Sequence, residues 1–99
     1  KAWLLSEHEL PVFRTDFASR LAWAECLDEN ELQSMMSGYA SLLEAQIAMC
    51  RERMRRGSES PARSPRELAF WRGLEEHAVA FYEAELRWLT EMAEVGDRT

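Results

Sequence analysis

Apolar residues recur at intervals of three and four along most of the chain, and this spacing predicts amphipathic helices. Strand signals are nearly absent, because β-branched residues are few and no alternating run of apolar and polar residues persists. The segments predicted to be helical run over about 2–8, 11–26, 29–56 and 65–94. We therefore predict an all-α fold, in which a short N-terminal helix precedes three longer helices packed as a helical hairpin or bundle that dimerises.

Polar residues at the predicted helix ends support these boundaries. Asp28 can accept hydrogen bonds from the free amides of the third helix, and Glu31 can reach back to the amide of Asp28, as in a capping box. Gly57 is placed to end this helix. Ser64 followed by Pro65 is typical of a helix start, so a short loop is predicted to join the two longest helices.

The third helix carries two apolar stripes. One stripe includes Leu32, Met36, Tyr39, Leu43, Ile47, Cys50 and Met54. The other consists of Met35, Leu42 and Met49, spaced at intervals of seven residues. A helix with two apolar stripes buries more than one face, so we expect one of them to meet a partner. The interface predicted for self-association consists of Met35, Tyr39, Leu42, Met49, Phe81 and Trp88.

The last helix places an acidic residue on its apolar stripe. This stripe includes Leu68, Trp71, Leu74 or Glu75, Ala78, Phe81, Glu85, Trp88 and Met92, with Tyr82, Leu86 and Leu89 beside it. A buried carboxylate needs a partner, or its pKa rises until the group is neutral. Glu85 is therefore predicted either to form an interhelix clamp with Arg14 or Arg20, or to lie exposed where the stripe is narrow.

Aromatic residues are more numerous than a 99-residue domain needs for a minimal core, with four Trp, four Phe and two Tyr. Such a surplus indicates a partner surface or a ligand pocket, although each ring can also fill the core. The candidate pocket for a planar aromatic ligand consists of Trp23, Trp71 and Trp88, with Tyr39 or Glu85 fixing the ligand's orientation. The alternative is that these indoles are ordinary core and interface anchors.

The net charge of −6 opposes contact with nucleic acid phosphates, so this chain alone is not expected to bind DNA. Its basic residues are concentrated around one predicted loop, as Arg51, Arg53, Arg55, Arg56, Arg63, Arg66 and Arg72. The first four lie near the C-terminus of the third helix, where cations interact favourably with the helix dipole. This favours helix capping as their role, with a phosphate or partner site as the alternative.

No arrangement of residues points to catalysis, a metal or a cofactor. His8 and His77 lie far apart and in no zinc or di-iron spacing. The chain has no phosphate-binding glycine loop and no serine nucleophile elbow, so we expect neither catalytic residues nor enzymatic activity. Cys26 and Cys50 form no redox motif and are expected to be reduced. Together with the lack of a membrane span or signal peptide, they favour a cytoplasmic location.

Several motifs resemble those of one known family. They are the run from Phe13 to Trp23, the pattern Leu27-Asp28-x-x-Glu31-Leu32, and the segments Phe81-Tyr82-Glu83-Ala84-Glu85-Leu86 and Trp88-Leu89. In this order and spacing, they resemble the helical C-terminal domain of the larger, virulence-activator-like subfamily of PadR transcriptional regulators, over about residues 12–92. The resemblance implies a domain that dimerises. Many members respond to phenolic or other small aromatic compounds and bind DNA through an N-terminal winged helix.

We therefore expect residues 1–99 to form a single dimerisation and effector-sensing domain of a PadR-like transcriptional regulator. Its expected partners are a second copy of itself and an aromatic effector, with DNA bound only through a winged-helix domain that this segment lacks. No membrane partner is expected. The alternative is a free-standing small-molecule or drug-binding protein, such as a self-resistance protein, with the same fold.

Overall fold

The computed structural model describes residues 1–11, 15–57 and 61–98, and over these residues every regular element is a helix. The all-α prediction is therefore confirmed. The helices are α1 (Ala2–Leu5), α2 (Asp16–Ala22), α3 (Glu29–Arg56) and α4 (Pro65–Arg98), with a short 3-10 turn (Ala24–Cys26) between α2 and α3. None of the described helices is both long and apolar enough to cross a membrane.

The two long helices pack against each other as an antiparallel hairpin. Tyr39 of α3 lies against Glu85 of α4, whereas Met54, near the other end of α3, lines the same groove as Trp71. At about 1.5 Å per residue, the 28 residues of α3 and the 34 residues of α4 extend for roughly 42 and 51 Å. The buried core residues are Phe17, Leu43, Ile47, Cys50, Val79 and Leu89.

The predicted caps of the two long helices are confirmed. The amide of Glu31 donates to Oδ1 of Asp28 over 2.8 Å, and the amide of Asp28 donates to Oε1 of Glu31 over 3.1 Å, which completes the capping box. Gly57 ends α3 with a φ of +78°, a conformation that glycine adopts without strain. Ser64 Oγ accepts the amide of Glu67 over 3.1 Å at the start of α4.

The two N-terminal helices are shorter than the sequence predicts. α1 ends at Leu5 instead of about residue 8, and none of its residues is buried, so no packing extends it. α2 begins at Asp16, because the hydroxyl of Thr15 accepts the amide of Ala18 over 3.1 Å and caps the helix there. It ends at Ala22, where the 3-10 turn follows. The predicted helical residues 12–14 lie outside the described residues.

The last helix is longer than the sequence predicts. α4 continues to Arg98, four residues past the expected end near Glu94. Ala93 and Gly96 line one groove with Leu32 of α3, so the final turns lie beside the start of the other long helix. This tertiary placement outweighs the low helix propensity of a glycine near a chain end.

The hairpin gives the molecule a thin, extended outline. Its principal extents are 53 × 35 × 17 Å, and its radius of gyration is 18.0 Å, compared with about 12.6 Å for a compact domain of this length. Its accessible surface is 8791 Å², compared with about 5,800 Å² for a compact monomer of this mass. Stable domains usually pack two layers of secondary structure, whereas here the hairpin is one layer that α2 covers in part.

Candidate functional site

Three aromatic side chains from three helices meet where α2 rests on the hairpin. Phe17 of α2 is only 6% exposed, and its ring stacks on Tyr39 of α3 with a centroid distance of 4.1 Å and an interplanar angle of 10°. The same ring meets Trp88 of α4 edge to face, at 6.2 Å and 88°. Leu43 and Leu89 are buried in the same cluster. We call Phe17, Tyr39 and Trp88 the aromatic cluster.

A hydrogen bond between the long helices fixes one member of the cluster. The hydroxyl of Tyr39 donates to Oε2 of Glu85 over 2.7 Å. Burial, and then the hydrogen bond to the Glu85 carboxylate, raises the pKa of Tyr39 to about 12. The tyrosine is therefore protonated at neutral pH and remains a donor to the carboxylate.

The partner of Glu85 differs from the sequence hypothesis. Arg20 pairs with Asp16, one turn earlier on α2, at 3.0 Å, and so does not reach Glu85. Arg14 lies outside the described residues. The alternative, that Glu85 is simply exposed, is also wrong, because this side chain is half-buried beside Tyr39. An interhelix clamp does exist, but its donor is a phenol instead of a guanidinium.

An open groove runs beside the aromatic cluster, along the seam between α2 and α3. Its volume is about 410 Å³. The lining residues are Thr15, Asp16, Phe17, Arg20, Ser34, Met35, Gly38, Tyr39 and Leu42. The groove therefore brings solvent close to the stacked faces of Phe17 and Tyr39, with apolar side chains and a glycine on the α3 side.

Further along the same side of the hairpin, apolar side chains remain exposed. Those of α3 are Leu42 and Met49, which are 70% and 59% exposed, and those of α4 are Phe70, Leu74 and Phe81, at 63%, 67% and 43%. Helical spacing places Leu42 and Met49 in line with Met35 on α3. It also places Phe70, Leu74 and Phe81 in line with Trp88 on α4. They therefore continue the side on which α2 sits. We call these five exposed residues the uncovered face.

The opposite side of the hairpin is charged. Arg51 of α3 pairs with Glu83 of α4 at 2.8 Å, and the two side chains are 60% and 39% exposed. This ion pair lines a broad groove on the charged side. The other lining residues include Glu44, Arg87 and Thr90, together with the apolar Ile47 and Leu86. The hairpin thus has one apolar side and one polar side, and only the apolar side carries α2.

The structure gathers three of the five residues predicted to bind a ligand. Tyr39, Glu85 and Trp88 lie together around Phe17. Trp23 is 83% exposed at the end of α2. Trp71 precedes Trp88 by 17 residues on α4, which corresponds to roughly 26 Å along the helix. One chain therefore does not bring the three indoles into a single pocket.

The residues predicted for self-association divide into two groups. Leu42, Met49 and Phe81 are exposed on the uncovered face, whereas Met35, Tyr39 and Trp88 are half-buried against the core. The predicted ligand-site and interface residues do not include Phe17, Phe70 or Leu74, although Leu74 was an alternative to Glu75 on the predicted stripe of the last helix. Phe70 and Leu74 are four residues apart, and Phe81 follows seven residues later. This helical spacing is a signal that could have revealed Phe70 and Leu74. Only tertiary contacts reveal the role of Phe17.

A family model for the virulence activator alpha C-terminal region matches residues 13–96, which include the aromatic cluster and nearly all of both long helices. The chain belongs to this family. As a virulence activator alpha C-terminal domain, it is a regulatory domain of a transcription regulator. Comparisons with curated proteins and with solved structures gave no match.

Proposed function

We propose that this domain dimerises a PadR-like transcription regulator by pairing the uncovered faces of two copies. The observation that carries the proposal is a hairpin one layer thick whose apolar side is covered by α2 over only part of its length. Large apolar side chains exposed in one continuous strip usually mark a surface that another molecule covers. The uncovered face has this character, with three exposed side chains on α4 and two on α3.

The total exposed surface is large enough to contain a dimer interface. The accessible area of 8791 Å² exceeds that of a compact monomer of this mass by roughly 3,000 Å². A standard interface buries only about 800 Å² on each partner. If about 65% of such an interface is apolar, its burial contributes roughly 25 kcal/mol, which exceeds the estimated association cost of about 4–15 kcal/mol.

The distribution of charge favours a second copy as the partner. Residues 51–72, which include the end of α3 and the start of α4 at the hairpin tip, carry seven arginines and three carboxylates in the sequence, whereas the rest of the chain carries five cations and fifteen carboxylates. Two hairpins related by a twofold axis can lie antiparallel to each other, with the basic tip of each near an acidic region of the other. The long-range attraction then adds to apolar burial and sets the orientation.

Sedimentation tests the proposed dimer. At tens of micromolar, we expect this chain to sediment at about twice its mass of 11.5 kDa. Leu42→Glu and Phe81→Glu each place a carboxylate in the uncovered face and should shift the equilibrium to monomer. Ala48→Glu is the matched control, because Ala48 is exposed on the charged side of α3. A monomeric wild-type chain, or equal dissociation by the Ala48 variant, would contradict the proposal.

A sensing role is the second proposed function. The observation that favours it is the open groove next to the aromatic cluster, where aromatic faces and a half-buried carboxylate lie close together. A concave, mostly apolar site with a few polar groups is typical of small-molecule binding. In an intact regulator, an aromatic compound bound there should change operator affinity. In a free-standing drug-binding protein, the same compound would bind with no DNA response.

A further inference from the structure

Helix α2 is attached to the hairpin chiefly by one side chain. Phe17 is its only buried residue, while Ala18 and Leu21 are half-buried. The polar contacts of α2 are internal: Asp16 pairs with Arg20, and Thr15 caps the helix. Among the described residues, no side-chain hydrogen bond or ion pair joins α2 to α3 or α4. The position of this seven-residue helix therefore depends largely on where the Phe17 ring lies.

The hairpin itself supplies the walls that hold that ring. Tyr39 provides a parallel face at 4.1 Å, and Trp88 provides a perpendicular wall at 6.2 Å. Tyr39 is tied to α4 through Glu85, and the buried Leu43 and Leu89 lie in the same cluster. These walls belong to α3 and α4, so they remain in place when α2 moves. We call the space between them, filled by the Phe17 ring, the ring slot.

The ring slot is accessible from solvent on one side. The groove of about 410 Å³ borders both Phe17 and Tyr39 and continues past Met35, Gly38 and Leu42. At Gly38, a Cβ atom would have no neighbour within 4 Å, so the α3 wall of the groove is open at this point. A small molecule can therefore approach the stacked rings along this groove before α2 has moved.

We propose that the ring slot is a binding site for a small planar aromatic molecule, which enters by displacing Phe17 and thereby releases α2. The matching chemistry is a flat ring system of one or two fused rings that stacks on Tyr39 and meets Trp88 at its edge. A hydroxyl or N–H group on the ligand can donate a hydrogen bond to the Glu85 carboxylate. The binding site stands on the geometry alone, whereas its use as a signal rests on the proposed function as a regulator.

Displacement has a measurable thermodynamic consequence. A ligand that competes with Phe17 binds only the fraction of molecules in which the slot is empty, so its apparent dissociation constant is the intrinsic one divided by that fraction. Removing the ring from position 17 empties the slot permanently. The same ligand should then bind more tightly, although the variant has lost an aromatic side chain.

Calorimetric titration with indole tests the affinity. Phe17→Ala should bind indole at least tenfold more tightly than the wild-type chain. Trp3→Ala is the matched control, because Trp3 is an aromatic residue of α1 that is 82% exposed and belongs neither to the slot nor to the uncovered face, and it should bind like the wild type. Equal affinity of the Phe17 variant and the wild type, or no binding by either at millimolar indole, would overturn the proposal.

Hydrogen exchange on the wild-type chain tests the release of α2. Indole should accelerate exchange of the α2 amides, such as that of Ser19, which donates to the Thr15 carbonyl over 3.1 Å. Amides in the middle of α3 and α4 should not change. Binding with unchanged or increased protection of α2 would show that indole sits elsewhere or that Phe17 stays in place.

Two further measurements keep the outcome decisive. Circular dichroism checks folding. If Phe17→Ala is unfolded, Phe17→Leu takes its place, because leucine fills less of the slot and cannot stack on Tyr39, so it should also bind indole more tightly than the wild type. Sedimentation of the same samples separates this proposal from dimerisation, since the ring slot lies within one chain. A monomer that binds indole with the expected Phe17 dependence contradicts only the dimer, and a dimer without that dependence contradicts only the slot.

Discussion

Tyr39 and Glu85 lie 46 positions apart in the chain and are joined by a hydrogen bond of 2.7 Å between the two long helices. The other side-chain bond between these helices in the described part of the chain, from Arg51 to Glu83, lies on the charged side, where both side chains are partly exposed to solvent. Only the Tyr39–Glu85 bond is sheltered by neighbouring aromatic rings. The two bonds should therefore differ in their effect on stability.

Removing the phenol hydroxyl should destabilise the domain. We expect Tyr39→Phe to lower the free energy of unfolding by about 1–2 kcal/mol, because a half-buried carboxylate loses a charge-assisted hydrogen bond while the ring keeps its stack on Phe17. A double-mutant cycle with Glu85→Ala should give a coupling energy of about 1 kcal/mol. Chemical denaturation at constant protein concentration measures both, and a coupling near zero would contradict the assignment.

The exposed ion pair should contribute much less. Arg51 and Glu83 side chains are 60% and 39% exposed, so water and salt screen their attraction. We expect the cycle of Arg51→Ala with Glu83→Ala to give a coupling of only about 0.2–0.5 kcal/mol, declining further in high salt. A coupling energy as large as that of Tyr39 with Glu85 would show that solvent exposure does not determine which contact contributes more to stability.

Alkaline pH should weaken the fold through Tyr39. Its pKa is raised in the folded state to about 12 from 10.0, so the stabilisation is fully present below the unfolded value and is lost as pH rises through the folded value. We expect the free energy of unfolding to fall between about pH 10 and pH 12. Tyr39→Phe should remove most of this decline, whereas Tyr82→Phe, which alters the chain's other tyrosine, should retain it.

The capping box should be important for the start of α3. Asp28→Ala removes the acceptor of the Glu31 amide and should lower the free energy of unfolding by about 1 kcal/mol. Asp28→Asn keeps a side-chain oxygen at the same place and should stay within a few tenths of the wild type. Thermal denaturation at fixed concentration distinguishes the two variants, and equal losses would show that the charge, not the hydrogen bond, matters.

The isolated chain should not recognise duplex DNA specifically. Its net charge is −6, and several arginines at the hairpin tip are paired with carboxylates, as in Arg55 with Glu52 and Arg63 with Glu67. We expect no sequence-specific band shift at physiological salt. A shift that survives an excess of unrelated duplex would contradict this expectation and would point to the basic tip as a base-reading surface.

Local signals predicted the long helices well. Asp28 with Glu31, and Ser64 before Pro65, are short-range patterns whose hydrogen bonds form within one helical turn, so sequence spacing is enough to identify them. The stripe of α3 was also predicted, because Leu43 and its neighbours at helical spacing are the residues that α4 buries. The start of α2 after the cap at Thr15 was not predicted, because the apolar spacing is also compatible with a longer helix that begins before this residue.

The candidate site was less predictable, because its contacts join residues that are distant in the sequence. The stack of Phe17 on Tyr39 depends on the angle at which α2 crosses the hairpin, which no local pattern specifies. The predicted buried face of α4 was also inaccurate, because Val79 is buried, whereas Phe81 of the predicted stripe is 43% exposed. A large aromatic residue on an amphipathic helix can serve either the core or an interface, and only the packed structure distinguishes them.

The thinness of the molecule, 17 Å along its shortest principal axis, also affects how the domain melts. The heat-capacity change on unfolding follows the apolar area exposed, and a single chain with six buried apolar residues in its described part exposes little. A lone chain should therefore have a value below the roughly 1.2–1.5 kcal/mol/K usual for this length, with a broad transition. Covering the apolar side in a complex should raise that value and sharpen the transition. The width of the calorimetric peak thus reports how much of the molecule's surface is hidden from water.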